Sequence, residues 1–143
     1  MSDAHHRRLE RMYLSAPINT FFRPTIRVDD GRAEVALEVR REMHHAAHAL
    51  HGAVYFKSLD DAAFFAAQSA VPEVFILTVN FNLVLLRPVT DGIITAVGRL
   101  VHTTKSLLVA ESELVDAAGR QLARGSGTFM RGKTALDASV GYQ

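Results

Sequence analysis

The sequence predicts an α+β domain in which a curved antiparallel sheet wraps one long helix, and three observations carry that expectation. Two alternating segments, Phe21 to Val28 and Arg32 to Arg40, precede a single apolar helical stretch running from about His51 to Ala70. Beyond Pro72 the chain is strand-like almost to its end, divided by the turn signals Pro88-Val89-Thr90-Asp91-Gly92 and Asp116-Ala117-Ala118-Gly119. No internal repeat or linker interrupts this order, so one sheet with one helix in its concavity suffices.

Composition narrows the function classes. Of 143 residues, 48% are hydrophobic and 22% charged, which excludes a disordered body and allows one well-filled core. Sixteen Lys+Arg stand against 15 Asp+Glu, so the formal charge of +1 supplies no bulk attraction for nucleic acid. With no cysteine there is no disulfide framework, thiolate metal site or cysteine nucleophile, and a reducing cytoplasm is the expected location. The first 19 residues mix basic, acidic and apolar side chains without the continuous apolar run of a secretory signal. The most apolar stretch, Ala62 to Val71, falls short of the ~20 residues that cross a bilayer and contains Gln68 and Ser69, so it reads as a buried helix and no membrane is expected.

Each element follows from its local pattern. Leu9, Met12 and Tyr13 recur at helical spacing among Arg7, Arg8, Glu10 and Arg11, predicting an amphipathic lead helix that stops before Pro17. Ala33, Val35, Leu37 and Val39 alternate with Glu34, Glu38 and Arg40, and Asp29-Asp30-Gly31 supplies the hairpin turn. Residues 42–50, with His44, His45 and His48, read as a loop. In the first strand after the helix, Phe75, Leu77, Val79, Phe81, Leu83 and Leu85 form one apolar face, expected to be core. Thr78, Asn80 and Asn82 interrupt the opposite face between Ile76 and Val84, as though that face were partly covered, a partner subunit being one option. Strands over 93–102, 106–115 and 121–131 follow, with a turn at Thr103 to Lys105. Gly125 and Gly127 in the last strand point to a bulge or a close backbone approach. The expected division is a lead segment 1–18, a domain 19–132 and a flexible tail 133–143.

Three clusters could carry chemistry. His51-Gly52-Ala53 opens the long helix, where free N–H groups and the positive dipole end suit a developing oxyanion. Asp60 and Asp61 lie about two turns further, beside the apolar run Tyr55, Phe56, Leu59, Ala62, Ala63 and Phe64. A carboxylate against a core face is costly unless paired or functional, and the plain alternative is a solvent-facing Asp; periodicity leaves open which of the two faces inward. His44 and His48, and His48 and His51, have spacings that on a helix could share a metal. The glutamate of H-E-x-x-H is missing, however, and imidazoles bonded to loop backbone are the plainer reading, so no metal is expected. Thr78, Asn80 and Asn82 form the third cluster, for which simple solvation is the alternative. Neither Ser58 nor Ser69 sits in a G-x-S-x-G elbow, and no glycine-rich phosphate loop occurs.

Taken together, His45, His51-Gly52-Ala53, Asp60, Thr78-Val79-Asn80-Phe81-Asn82 through Arg87-Pro88, Thr104-Lys105-Ser106 and Gly125-Ser126-Gly127 resemble, in order and spacing, the signature of the hotdog-fold acyl-CoA thioesterases of the phenylacetate-degradation type. The resemblance spans about residues 20 to 131. It implies a hotdog fold and hydrolysis of an acyl- or aryl-CoA without a cofactor, in a homodimer or a dimer of dimers whose sites form between subunits. It also implies that Asp60 is the catalytic carboxylate, with Asp61 as fallback, that the Gly52 N–H meets the thioester oxygen, and that Thr78 helps place water. By the same resemblance His45 stands where the family has a loop Asn or Gln, His51 opens the H-G motif, and Ala53 replaces its second glycine. Asn82, Arg87, Lys105 and Ser106 are the implied substrate contacts, the last three toward coenzyme A; Phe64, with Phe65, Tyr55 and Phe56, could line an aryl or medium-chain pocket, the plainer alternative being core. The alternative is a non-catalytic acyl-CoA or lipid-binding hotdog protein in which His45 and Ala53 mark lost hydrolysis. A transcription regulator of this fold would need a helix-turn-helix that the lead segment cannot supply.

Overall fold

The computed structural model describes residues 2–143. Helix α1 (Asp3–Ser15) is capped by Ser2, whose Oγ accepts from the His5 N–H at 3.3 Å, and it buries Leu9, Met12 and Tyr13. The strand expected from Phe21 starts later. A short helix α2 (Asn19–Phe22) intervenes, ended by Arg23 in the left-handed region (φ 51°) immediately before Pro24. Phe21 there lies under the Arg40 guanidinium, 4.7 Å from the ring centroid. Strands β1 (Thr25–Asp29) and β2 (Arg32–Val39) form the hairpin expected from their alternation, with Ala33, Val35, Leu37 and Val39 all buried. A 3-10 turn at Arg41–Met43 and a loop closed by the bridge His44↔Leu50 lead into helix α3 (Gly52–Gln68). Then come β3 (Val74–Leu85), β4 (Gly92–Thr103), β5 (Leu107–Val115) and β6 (Gln121–Ala135).

The six strands form one antiparallel sheet in the order β1-β2-β4-β5-β6-β3, wrapped around α3 as in the hotdog fold. The helix reaches the sheet so closely because both surfaces are small where they meet. Across the strands, Ala33 pairs with Gly98, Gly98 with Ser112 and Ser112 with Gly125. Ala62, Ala63, Ala66 and Ala67 of α3 are completely buried. A Cβ on Gly98 would stand 2.1 Å from the Ala62 carbonyl oxygen, so only glycine fits under the helix there. Ser112 Oγ donates to the Leu59 carbonyl at 2.8 Å, fixing the helix over this row. Gln68, the polar residue within the apolar stretch, is fully buried and pins the helix end to β3. Its amide donates to the Val71 and Val74 carbonyls, and its Oε1 accepts from the Ile76 N–H, each at 2.9 Å.

Strand β3 departs from the single apolar face expected of it. Register shifts occur between Val74 and Ile76 and between Thr78 and Asn80. Before the second bulge, Ile76 and Thr78 face α3; after it, Phe81, Leu83 and Leu85 do, while Leu77 and Val79 are about half exposed. The extra residue resets the two-residue period. Gly125 and Gly127 mark a close approach rather than a bulge: the Phe81 ring covers both, leaving no room for a Cβ on either, and its edge meets Phe56 of α3 with centroids 5.8 Å apart.

The segment expected to be a flexible tail is instead folded. Strand β6 runs to Ala135, and the Leu136 N–H then donates to the Glu73 carbonyl at 3.1 Å. Gly141 (φ 85°) packs against Ser15, and the Tyr142 hydroxyl lies 2.7 Å from His5 Nδ1. Leu136, Val140 and Tyr142 pack against the core, which explains why this small, polar stretch holds a fixed path over α1. Among the described residues no helix is long and apolar enough to cross a membrane.

Candidate active site

The two aspartates of α3, left open by periodicity, have different environments because they lie about 100° apart around the helix. Asp61 points toward α1 into a polar cluster. Its Oδ2 receives the Lys57 ammonium and the Tyr13 hydroxyl, each at 2.6 Å, and Lys57 also donates to Asn19 Oδ1 at 2.8 Å. Burial pushes the Asp61 carboxyl upward against the contrary pull of Lys57 and Tyr13, and burial together with the Asp61 charge pushes the Tyr13 hydroxyl up.

Asp60 points toward β3. Thr78 Oγ1 donates to its Oδ1 at 3.0 Å, and no other hydrogen bond reaches it among the described residues. Desolvation raises this carboxyl to about 6; the Thr78 hydroxyl and Lys57 oppose the rise, and the neighbouring Asp61 adds to it. A half-desolvated carboxylate with one oxygen free and a protonation midpoint just below neutrality is suited to take a proton from water. The β3 bulge is what turns Thr78 toward it. Replacing Thr78 with Val removes a hydrogen bond that favours the ionised form, so the Asp60 titration, followed by carboxyl-carbon NMR, is expected to move to higher pH.

Asp60 and Thr78 line a cavity of about 720 Å³ that also takes in Phe64, Phe65 and Phe75. Phe64 meets Phe65 and Phe75 of the lining at centroid distances of 5.1 and 5.3 Å, with the fully buried Phe129 behind it at 5.9 Å, all in edge or tilted contact.

The other expected site residues lie elsewhere. The Gly52 N–H, in the first turn of a 17-residue helix, has no hydrogen-bond partner among the described residues. His51 caps the helix, its Nδ1 accepting from the Ala53 N–H at 2.9 Å, and Ala53 stands exposed on the first turn. Gly52 opens on a groove of about 300 Å³ with His45, Tyr55, Leu85 and Arg87. The Tyr55 hydroxyl holds that wall by donating to the Arg87 carbonyl at 2.8 Å. Eight helical steps separate Gly52 from Asp60, about 12 Å along the axis. One chain therefore does not bring His45, His51 and Gly52 together with Asp60, Thr78 and Phe64. Asn82, past the bulge, sits on the outer sheet face in a depression with Glu111, Arg124 and Ser126. Lys105 and Ser106 occupy the β4–β5 turn, whose Thr104 and Lys105 carbonyls accept from Arg131 at 3.2 and 3.1 Å.

Three of the clustered imidazoles bond to backbone. His44 Nε2 lies 2.8 Å from the Thr90 carbonyl, His45 Nδ1 accepts from the Ala47 N–H at 3.1 Å, and His51 caps α3. Among the described residues no three His, Asp or Glu side chains converge on a common point. The residues that sequence reasoning missed are Tyr13, Asn19 and Lys57. The i, i+4 spacing of Lys57 and Asp61 was a usable signal for that pair; nothing local links Tyr13 or Asn19 to it.

A curved antiparallel sheet wrapped around one long helix is the hotdog architecture that the sequence resemblance implies. Residues 47–123 match the profile of the Thioesterase superfamily, and the chain belongs to that family. A 1,4-dihydroxy-2-naphthoyl-CoA hydrolase of Listeria monocytogenes is 31% identical over 98 residues, covering 68% of this chain and 80% of that protein. Among solved structures, the Escherichia coli PaaI protein from the phenylacetic acid degradation operon superposes with a TM-score of 0.82 at 22% identity, over 93% of this chain and 99% of that one. AziG of S. sahachiroi superposes with a TM-score of 0.76 at 28% identity, over 81% and 96%.

Proposed function

We propose that the protein hydrolyses acyl-CoA thioesters to the free acid and coenzyme A at a site composed from two protomers. The observation that carries this reading is Asp60, a desolvated carboxylate bonded to Thr78 at the edge of an apolar cavity. The need for a second protomer follows from distance. An oxyanion donor and a base serving one carbonyl must each lie ~3 Å from the reacting atoms, and ~12 Å of helix separates Gly52 from Asp60 within a chain. An antiparallel second copy would bring one chain's Gly52 to the other's Asp60. Strand β3 supports that arrangement: it is a 12-residue edge strand carrying the exposed apolar residues Val79, Val84 and Leu85, with Leu86 just beyond, and pairing with its own copy would cover it.

In the proposed mechanism the thioester oxygen accepts from the Gly52 N–H at the positive end of α3. Asp60 of the other protomer removes a proton from a water held by Thr78, and the water oxygen attacks the carbonyl carbon. The tetrahedral intermediate collapses, the C–S bond breaks, and the thiolate takes up the proton from Asp60. His45 reaches the same groove as Gly52 and orients the carbonyl or the water, while His51 and Ala53 shape the helix start. Phe64 receives the acyl group. Arg87, beside the Gly52 groove, is assigned to the coenzyme A phosphates; Lys105, Ser106 and Asn82 are further candidates for the nucleotide, reached from a neighbouring protomer.

Thiol release from acyl-CoAs of graded size tests this directly, since a chain without cysteine adds no signal to a thiol-reactive dye. Turnover is expected, with kcat/KM rising through an apparent pKa of about 6 and level above it, because the base acts only when deprotonated. Tight binding of acyl-CoA with no turnover on any thioester would contradict hydrolysis and favour a carrier of acyl-CoA.

A further inference from the structure

The cavity beside Asp60 has two walls of different origin. One, with Phe64, Phe65 and Phe75, lies within the residues matched by the family profile. The other comes from outside that match: Met12 and Tyr13 of α1, Ile18 after it, and Val140 of the C-terminal segment. This second wall is anchored to the body at several points. Tyr142 binds His5 at 2.7 Å, the Arg8 guanidinium lies 5.8 Å from the centre of the Tyr142 ring, Arg11 donates to the Gln143 carbonyl, and Lys57 holds Asn19 at 2.8 Å. Ile18 is 57% exposed at the edge of this space, so its side chain can be enlarged without disturbing the core.

We infer that the lead helix and the C-terminal segment together form the acyl-selecting wall of the site, and that they suit a bulky apolar acyl group, medium-chain or aryl, over acetyl. This rests on the hydrolase reading above and adds where selectivity resides. A cavity of about 720 Å³ falls in the range of small-molecule pockets; its lining is mostly apolar and aromatic, and its polar side holds Asn19, Lys57 and Asp61 as well as Asp60 and Thr78. An acetyl group would leave most of it filled with water. An octanoyl chain or a benzoyl ring would displace that water and bring apolar surface against this wall.

The experiment compares kcat/KM for acetyl-, octanoyl- and benzoyl-CoA in the wild-type chain, Ile18→Trp and Val140→Trp. Ile18 is exposed, so its replacement is compatible with folding, and a thermal melt of each variant verifies this. Wild type is expected to favour octanoyl- or benzoyl-CoA over acetyl-CoA, and each Trp is expected to reduce that preference about tenfold or more, the size of a methylene-scale clash in a pocket. A wild-type preference for acetyl-CoA, or a ratio unchanged within about twofold in both folded variants, overturns the selecting wall while leaving hydrolysis intact. Absence of turnover on all three thioesters by the wild type overturns the hydrolase reading and this inference with it.

Discussion

Asp60→Asn is expected to lower kcat on the best acyl-CoA by about 10²–10⁴-fold, the usual contribution of a positioned general base, and at the same time to make the protein more stable near neutral pH. The sign follows from the raised carboxyl. Asp60 in the folded chain titrates at about 6, above its ordinary 3.8, so between those values the native state binds more protons than the unfolded one. Its contribution to stability therefore falls as pH rises from about 4 through 6, and the full penalty for burying the charge applies above that. Asparagine cannot ionise and can still accept from Thr78. Because Asp60 keeps partial contact with water, the gain is expected to be about 1 kcal/mol, a rise of about 2–4 °C in Tm at pH 7.5 that vanishes near pH 4. Asp61→Asn should act in the opposite sense: although burial also raises the Asp61 carboxyl, its removal leaves a Lys57 ammonium only 13% exposed without its carboxylate, a cost that outweighs the relieved desolvation, so Tm falls while hydrolysis changes far less. A matched pair of melts and rates thus separates the proposed base from its neighbour, and equal rate losses in the two variants would contradict the assignment.

Gly98→Ala is expected to have the largest effect on stability of the glycine-to-alanine changes. The new Cβ would meet backbone: the Ala62 oxygen at 2.1 Å, its carbonyl carbon at 2.3 Å and the Ala63 nitrogen at 2.6 Å. No rotamer relieves such a contact, so α3 must lift from β4 along its middle, at a cost of about 3 kcal/mol or more. Urea unfolding should show a midpoint lowered in proportion. Because α3 carries both Gly52 and Asp60, kcat/KM should fall too, although neither residue has been changed. Gly119→Ala is a control, since no atom lies within 4 Å of the added Cβ and only the strain of its positive φ is incurred.

The elements that hydrophobic period alone defines were legible: the β1–β2 alternation, the lead helix, and the apolar helix between two sets of strands. What local pattern could not show was where the period breaks. The bulge after Thr78 moves the inward face of β3 from even-numbered to odd-numbered residues, so a run that reads as one continuous apolar face divides, and a threonine from its polar side arrives at Asp60. The flanks of the bulge are ordinary strand residues; it is fixed by pairing with β6, some 50 residues further on. The same holds for Tyr13 and Asn19, which meet Lys57 and Asp61 only because α1 packs against α3, and for Gly98, whose necessity is the path of the helix above it. The C-terminal segment looked frayed because its residues are small and polar. Its fixed path depends on Tyr142 finding His5 across 137 residues of sequence. At the site, the family-like spacing singled out Asp60 over Asp61, and what the residue pattern could not show is that the two carboxylates take different partners, Thr78 for Asp60 and Lys57 with Tyr13 for Asp61.

The most direct test of a site shared between two chains is complementation between two inactive variants. Gly52→Pro removes the proposed oxyanion donor while keeping a residue that the first helical position accepts, His51 before it already being extended at ψ 141°. Asp60→Asn removes the proposed base. Each variant alone is expected to be inactive. If the two are mixed in equal amounts, unfolded and refolded together, half of the dimers are mixed, and each mixed dimer holds one site with both groups intact. Thiol release should then recover to about a quarter of the wild-type rate. A mixture no more active than the sum of its separate components would place Gly52 and Asp60 in independent roles and contradict the two-chain site.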